Sequence, residues 1–156
     1  MQHTIVWPEG LNPKEYPVFA HNELFINAPA QAIWDILVNA KAWPEWYKNS
    51  KKVSLKQGGN TLQNGTEFEW TTFHFNVKSK VLVYNPPFDL GWDAKEFAAK
   101  GFHGWKLVPQ QGGTLVVTQE VQTGFGARLL KPFIVKGLTY WHQKWLEGLI
   151  ELSKIN

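Results

Sequence analysis

Three side chains have the type and placement for proton chemistry: His103, Glu120 and Tyr140. Alternation along 102–108 puts His103, Trp105 and Leu107 on one face of a strand, and Leu107, just before Pro109, suits the interior. An imidazole that changes charge near neutral pH can act there as general acid or base, or anchor a ligand; it can equally be a buried histidine satisfied by a neighbouring hydroxyl or carbonyl. Glu120, in the run TLVVTQEVQ, shares a face with Val116, Thr118 and Gln122 and would partner His103 if that face points inward. The opposite face, Leu115, Val117, Gln119 and Val121, is more apolar, so the pattern leaves both orientations open. Tyr140 offers a hydroxyl on the last helical segment that needs a partner if buried. Glu67 and Glu69 alternate with Phe68 and Trp70, so the rings are expected inside and the carboxylates in water.

Other chemistries lack their motifs. The chain has no cysteine, which excludes disulfides, thiolate metal sites and a cysteine nucleophile. His3, His21, His74, His103 and His142 are scattered, with no H-E-x-x-H, so neither a metal site nor a cofactor is expected. There is no G-x-S-x-G. GFGARLLK reads as a glycine hinge into a helix and not as a dinucleotide or phosphate loop.

These side chains need a scaffold, and 156 residues, 44% hydrophobic and 19% charged, suffice for one domain. Residues 1–17, with Pro8, Gly10, Pro13 and Pro17, should form an irregular arm, leaving 18–156 as a single domain. VFAHNELFINA alternates as a first strand. Asn27 is placed to cap a helix opened by Pro29, with Ile33, Trp34, Ile36, Leu37 and Val38 on its buried side. Pro44 should stop that helix by Trp43. From Lys51 to Thr123, turn signals at 58–60, 64–65, 85–87, 100–101 and 111–113 separate six short strands with hairpin-sized connections, so the sheet should be antiparallel. Past Gly124 the period is helical, with Leu130, Ile134, Leu138, Trp141, Trp145, Leu149 and Leu152 in one stripe and Pro132 in the first turn; Gly137 thins the helix where something else must fit. The fold class is α+β: a seven-stranded curved antiparallel sheet wrapped around a long C-terminal helix, with two short helices after the first strand.

Such a sheet and helix leave a wedge between them, and the chain is rich in rings, with 9 Trp and 10 Phe. Phe68, Trp70, Trp92, Trp105, Phe133 and Trp141 are the expected cavity lining; core filling accounts for any one of them, and only their number argues for a wall. Trp43, Trp46 and Tyr47, at the elbow after the first helix, would form a mobile lid over the mouth. The formal net charge of +3 is mild, and the run Lys48, Lys51, Lys52 and Lys56 reads as a solvated lysine face, so no nucleic-acid partner is expected. No apolar stretch approaches a membrane span and the start lacks the order of a secretory signal, which leads to the expectation of a soluble, cytoplasmic monomer or weak homodimer without stable membrane insertion.

INAPAQAIWDILVNAKAWPEWYKN, VLVYNPPFDLGW, FHGWKLVPQQGGTLVVTQEVQTG and HQKWLEGLIELSK, in this order over about residues 19–154, resemble the START-like or polyketide cyclase/dehydrase superfamily, which also includes the birch pollen allergen and lipid-transfer proteins. The resemblance implies a helix-grip fold with a deep cavity for an apolar or amphipathic small molecule. It implies less about chemistry, since fold does not fix function. Three functions follow as expectations: binding or carriage of a small hydrophobic, aromatic or lipid-like molecule; a cyclase/dehydrase-like enzyme using His103 as general acid/base with Glu120 or Tyr140; or a chaperone-activator-like interaction module presenting WPEWYKNSKK.

Overall fold

The structure, a computed structural model, describes residues 3–154; Met1 and Gln2 of the arm and Ile155 and Asn156 of the domain lie outside the described residues. Strand β1 (Val18–Ile26) is followed by helices α1 (Ala30–Val38) and α2 (Trp43–Trp46), six strands, and helices α3 (Phe125–Leu129) and α4 (Lys131–Ser153). The strands are β2 (Ser50–Leu55), β3 (Glu67–Thr72), β4 (Phe75–Asn85), β5 (Asp89–Lys95), β6 (Lys100–Gln110) and β7 (Gly113–Thr123). They form one sheet in the order β1-β7-β6-β5-β4-β3-β2, with every neighbouring pair antiparallel. Helix α4 packs across β1 and β7 and against α1. Among the described residues no helix is long and apolar enough to cross a membrane.

The register of β6 on β7 decides the orientation that the sequence left open. His103 pairs with Glu120, Trp105 with Thr118 and Leu107 with Val116, and all six are buried on the inner side of the sheet. The more apolar opposite face is buried too, because the N-terminal arm crosses it. Ile5, Phe102, Val117 and Val121 form a second core, with Trp7, Leu11 and Tyr16 packed against it. A Cβ on Gly104 would stand 2.4 Å from Ile5 Cγ2, so glycine there lets the arm approach the sheet. Strands covered on both faces lose the clean alternation that marks one inner side.

Several local expectations change. Asn27 does not cap α1; the helix begins at Ala30 with Pro29 in the capping position and no side-chain cap. Trp43 takes helical angles (φ −50°, ψ −44°) directly before Pro44 and opens α2, with the proline in its first turn. The general bias against this conformation is overcome by burial of the indole, whose Nε1 donates to Leu37 O at 2.9 Å. Lys100 and Gly101 lie inside β6, and the turn before them is closed by Glu96 N donating to Ala99 O. In α4 the buried residues are Leu138, His142, Trp145, Leu146, Leu149 and Ser153, whereas Leu130 precedes the helix and is exposed.

Candidate functional site

Three polar side chains meet on the inner side of the sheet. Glu120 Oε2 accepts from His142 Nε2 at 3.0 Å and lies 3.5 Å from His103 Nδ1. The imidazoles of His103 and His142 stack with centroids 4.5 Å apart and an angle of 25° between their planes. His103 Nε2 is 2.7 Å from Thr118 Oγ1, which also lies 3.2 Å from Gly104 O, and Gln122 Nε2 donates to Glu120 Oε1 at 2.6 Å. The sequence singled out His103 and Glu120 but missed His142. Spacing along the chain is no measure of distance in the fold: β6, β7 and α4 bring the three together, and their ligand atoms all lie within 4.8 Å of one another, so the scatter of histidines did not exclude a metal-competent cluster. The signal for His142 was its place four residues after Leu138 and three before Trp145, on the buried face of α4.

Burial sets the charges here. It lowers His103 to about 3, with the nearby His142 adding to the drop and Glu120 opposing it, so His103 is neutral at physiological pH and its contact with Glu120 is not an ion pair. Burial is also the largest influence on Glu120 and would raise it. The hydrogen bond from His142, the electrostatic influence of the two imidazoles and the hydrogen bond from Gln122 together outweigh it and hold the carboxyl below its ordinary value. The site therefore holds a buried carboxylate supported by imidazole and amide.

These three residues line a cavity of about 300 Å³ between the sheet and α4. Its walls include Tyr47, Trp70, Trp92 and Trp145, and its outer part is bounded by the β3–β4 turn, the β5–β6 turn, α3 and the start of α4, through Phe73, Phe75, Ala98 and Phe133. Among its wall residues, Trp92 Nε1, Trp145 Nε1 and His142 Nδ1 are buried without a hydrogen-bond partner. A larger hollow of about 580 Å³ lies over Lys56, Glu67, Glu69, Lys78, Asp93 and Lys95. Those charges are largely taken up by one another, with Lys56 2.6 Å from Glu67 and Lys95 2.8 Å from Asp93, and the aromatic cavity is the better site for an apolar molecule.

The expected lining is divided by the fold. Trp70, Trp92 and Phe133 border the cavity; Phe68 and Trp105 are core beside it, and Trp141 packs half-buried against Tyr47. Phe133 is 77% exposed, so it belongs to the mouth. Tyr140 is exposed and does not reach the cluster, which removes it as a proton donor there. The lid fails for Trp43: it is fully buried, with the rings of Phe68, Trp70, Trp92 and Trp145 within 6.0 Å of its own. Trp46 packs on Gly148 of α4, and Tyr47 stacks on Trp145 at 4.2 Å. The elbow is thus a plug of the aromatic core, and the open side of the cavity lies beyond it, by Phe73, Phe75 and Phe133.

Residues 21–152 match the family described as polyketide cyclase / dehydrase and lipid transport. No curated protein matches the sequence. A hypothetical protein, jhp0584, from Helicobacter pylori superposes with a TM-score of 0.89 at 26% identity, over 98% of this chain and 98% of its own. The di-domain ARO/CYC StfQ from the steffimycin biosynthetic pathway superposes with a TM-score of 0.74 at 14% identity, over 88% of this chain and 51% of its own, so this chain spans about half of that protein. Ara h 8.0201 superposes with a TM-score of 0.70 at 14% identity, over 88% of this chain and 98% of its own. The last two likenesses are of fold, and the fold they share with this chain is the helix-grip arrangement expected from the sequence.

Proposed function

The chain belongs to the polyketide cyclase/dehydrase and lipid transport family, and from that premise we propose that it binds a compact, largely apolar, ring-containing molecule and holds a polar group of that molecule against His103, Glu120 and His142. The observation that carries this reading is a buried polar cluster in the wall of a largely apolar cavity that includes the rings of Tyr47, Trp70, Trp92 and Trp145. Such a cavity gains affinity from its apolar walls and orientation from a few polar groups. A volume of about 300 Å³ is at the small end for ligand pockets and favours a compact molecule over a long acyl chain. Trp92 Nε1 and Trp145 Nε1 are donors in want of an acceptor, and buried donors are rarely left so. Native mass spectrometry of the purified protein, followed by titration with the fluorescent probe anilinonaphthalene sulfonate, tests the reading. A retained small molecule, or one-to-one probe binding weakened by Phe133→Ala, supports it; an empty protein that takes up no probe contradicts it.

A second reading, an enzyme moving protons on a bound carbonyl compound, is favoured by the Glu120–His142 contact at 3.0 Å beside the cavity. His103 is a poor general base for it, being held neutral down to about pH 3. Turnover lost in Glu120→Gln with probe binding retained would select the enzyme. The interaction-module reading loses the rings of Trp43 and Tyr47 from its surface, because both are buried.

A further inference from the structure

We propose that His103 Nδ1, Glu120 Oε2 and His142 Nε2 form a binding site for one divalent first-row transition-metal ion, of which zinc is the reference case. The inference goes beyond ligand carriage and does not depend on it, since an ion can sit at the cluster whether or not an apolar molecule fills the cavity.

The donor set is two imidazoles and one carboxylate, a combination that suits zinc and its neighbours, with the remaining coordination positions open to water or a ligand. The spacing fits. An ion about 2.1 Å from each donor requires donors about 3.0–3.4 Å apart, between the octahedral and tetrahedral limits. Glu120 Oε2 lies 3.0 Å from His142 Nε2 and 3.5 Å from His103 Nδ1.

The outer partners point the same way. Thr118 Oγ1, donating its proton to Gly104 O, accepts from His103 Nε2, which places the imidazole proton on Nε2 and leaves the Nδ1 lone pair facing Glu120 Oε2. Two electron-rich atoms 3.5 Å apart in a buried site call for a cation between them. The rival is a proton: Thr118 turns its hydroxyl toward His103 Nε2, gives up Gly104 O, and Nδ1–H faces the carboxylate. Gln122 holds Glu120 Oε1 and so aims Oε2 at the imidazoles. Two adjustments are required. His142, which donates from Nε2 to Glu120, must carry its proton on Nδ1 instead so that Nε2 offers a lone pair. The two rings stack at 25°, so one must turn about its Cβ–Cγ bond to direct a lone pair at the ion. His142 is the freer, since its Nδ1 is unpartnered.

The test uses the full chain after dialysis against a chelator. Zinc is titrated by calorimetry and cobalt by visible absorption, in the wild type and in Glu120→Gln, His142→Gln, Thr118→Val and the control His21→Gln. One ion should bind, with cobalt ligand-field bands. Glu120→Gln and His142→Gln should weaken it by about 100-fold or more, and Thr118→Val by about 10–100-fold, as for loss of an outer-shell partner. His21→Gln should leave it unchanged. Should the cluster variants fail to fold, the imidazole nitrogen signals of the wild type decide: zinc-induced shifts at His103 and His142 support the site. Absence of binding, shifts confined to other histidines, or affinity unaffected by Glu120→Gln overturns it.

Discussion

His142 Nε2 donates to Glu120 Oε2 at 3.0 Å, tying α4 to β7 although 22 residues separate the two in sequence. Both side chains are buried, so removing either strands the other in a medium that solvates it poorly. His142→Leu or Glu120→Leu alone should cost about 3–5 kcal/mol. The double variant should cost less than the sum by about 0.5–3 kcal/mol, a coupling measurable in a urea-denaturation cycle. Strict additivity would mean that the contact carries no energy.

Tyr47 gives a prediction at the alkaline end. Burial pushes its phenol above the ordinary 10.0, only partly offset by the hydrogen bond from Asn49. The folded state therefore keeps a proton that the unfolded state releases. Its contribution is intact below pH 10 and is lost as pH rises from there toward the folded value, by about 1.4 kcal/mol per pH unit. Tyr47→Phe should flatten that loss relative to the wild type in denaturation curves between pH 9 and 11.5. Asn49 Nδ2 keeps Thr72 Oγ1 at 3.1 Å in the variant, so little else changes.

Two glycines of α4 should respond oppositely to alanine. At Gly148 a Cβ would lie 2.7 Å from the Trp46 ring, and overpacking of about 1–3 kcal/mol outweighs a helix-propensity gain of about 1 kcal/mol. At Gly137 the nearest atom is Phe73 Cε1 at 3.4 Å, an ordinary contact, so the propensity gain should dominate. Thermal melts should show Gly148→Ala lowered and Gly137→Ala unchanged or raised.

Much of this was legible from residues 18 onward. The helical stripe gave α4, and alternation with turn chemistry gave the right total of strands, although 58–60 and 64–65 both fall between β2 and β3 and the β3–β4 turn at Phe73 and His74 carries no glycine or proline to mark it. Both signals are local, which is why they survive in a single sequence. The site was half legible: parity placed His103 on the right face but could not orient Glu120, because the arm buries the outer face of β6 and β7 through Ile5 and Trp7. The elbow misled for a related reason. Trp43 next to a proline has the look of a loop, whereas its burial depends on Trp70, Trp92 and Trp145, partners that no local pattern reveals.

The arm should be a structural part of the domain. A chain lacking residues 1–16 would uncover Phe102, Val117 and Val121. It should melt lower than the full chain, and Ile5→Ala alone should cost about 2–5 kcal/mol if its site cannot relax. An unchanged melting temperature for both would show that the second core contributes nothing.

The aromatic cavity should receive a small ring compound at its polar end, and the indole N–H signals of the 9 tryptophans report whether it does. The protein is titrated with 2-naphthol, a compact ring with one hydroxyl. Trp92 and Trp145 line the cavity with unpartnered Nε1 atoms, so their signals should move in a saturable one-to-one manner. Trp7, on the outer face against Phe102, and Trp34, against Tyr84, should stay still. Saturable movement at Trp7 or Trp34 with Trp92 and Trp145 unmoved, or no saturable movement at any indole, would show that no ring compound enters this cavity.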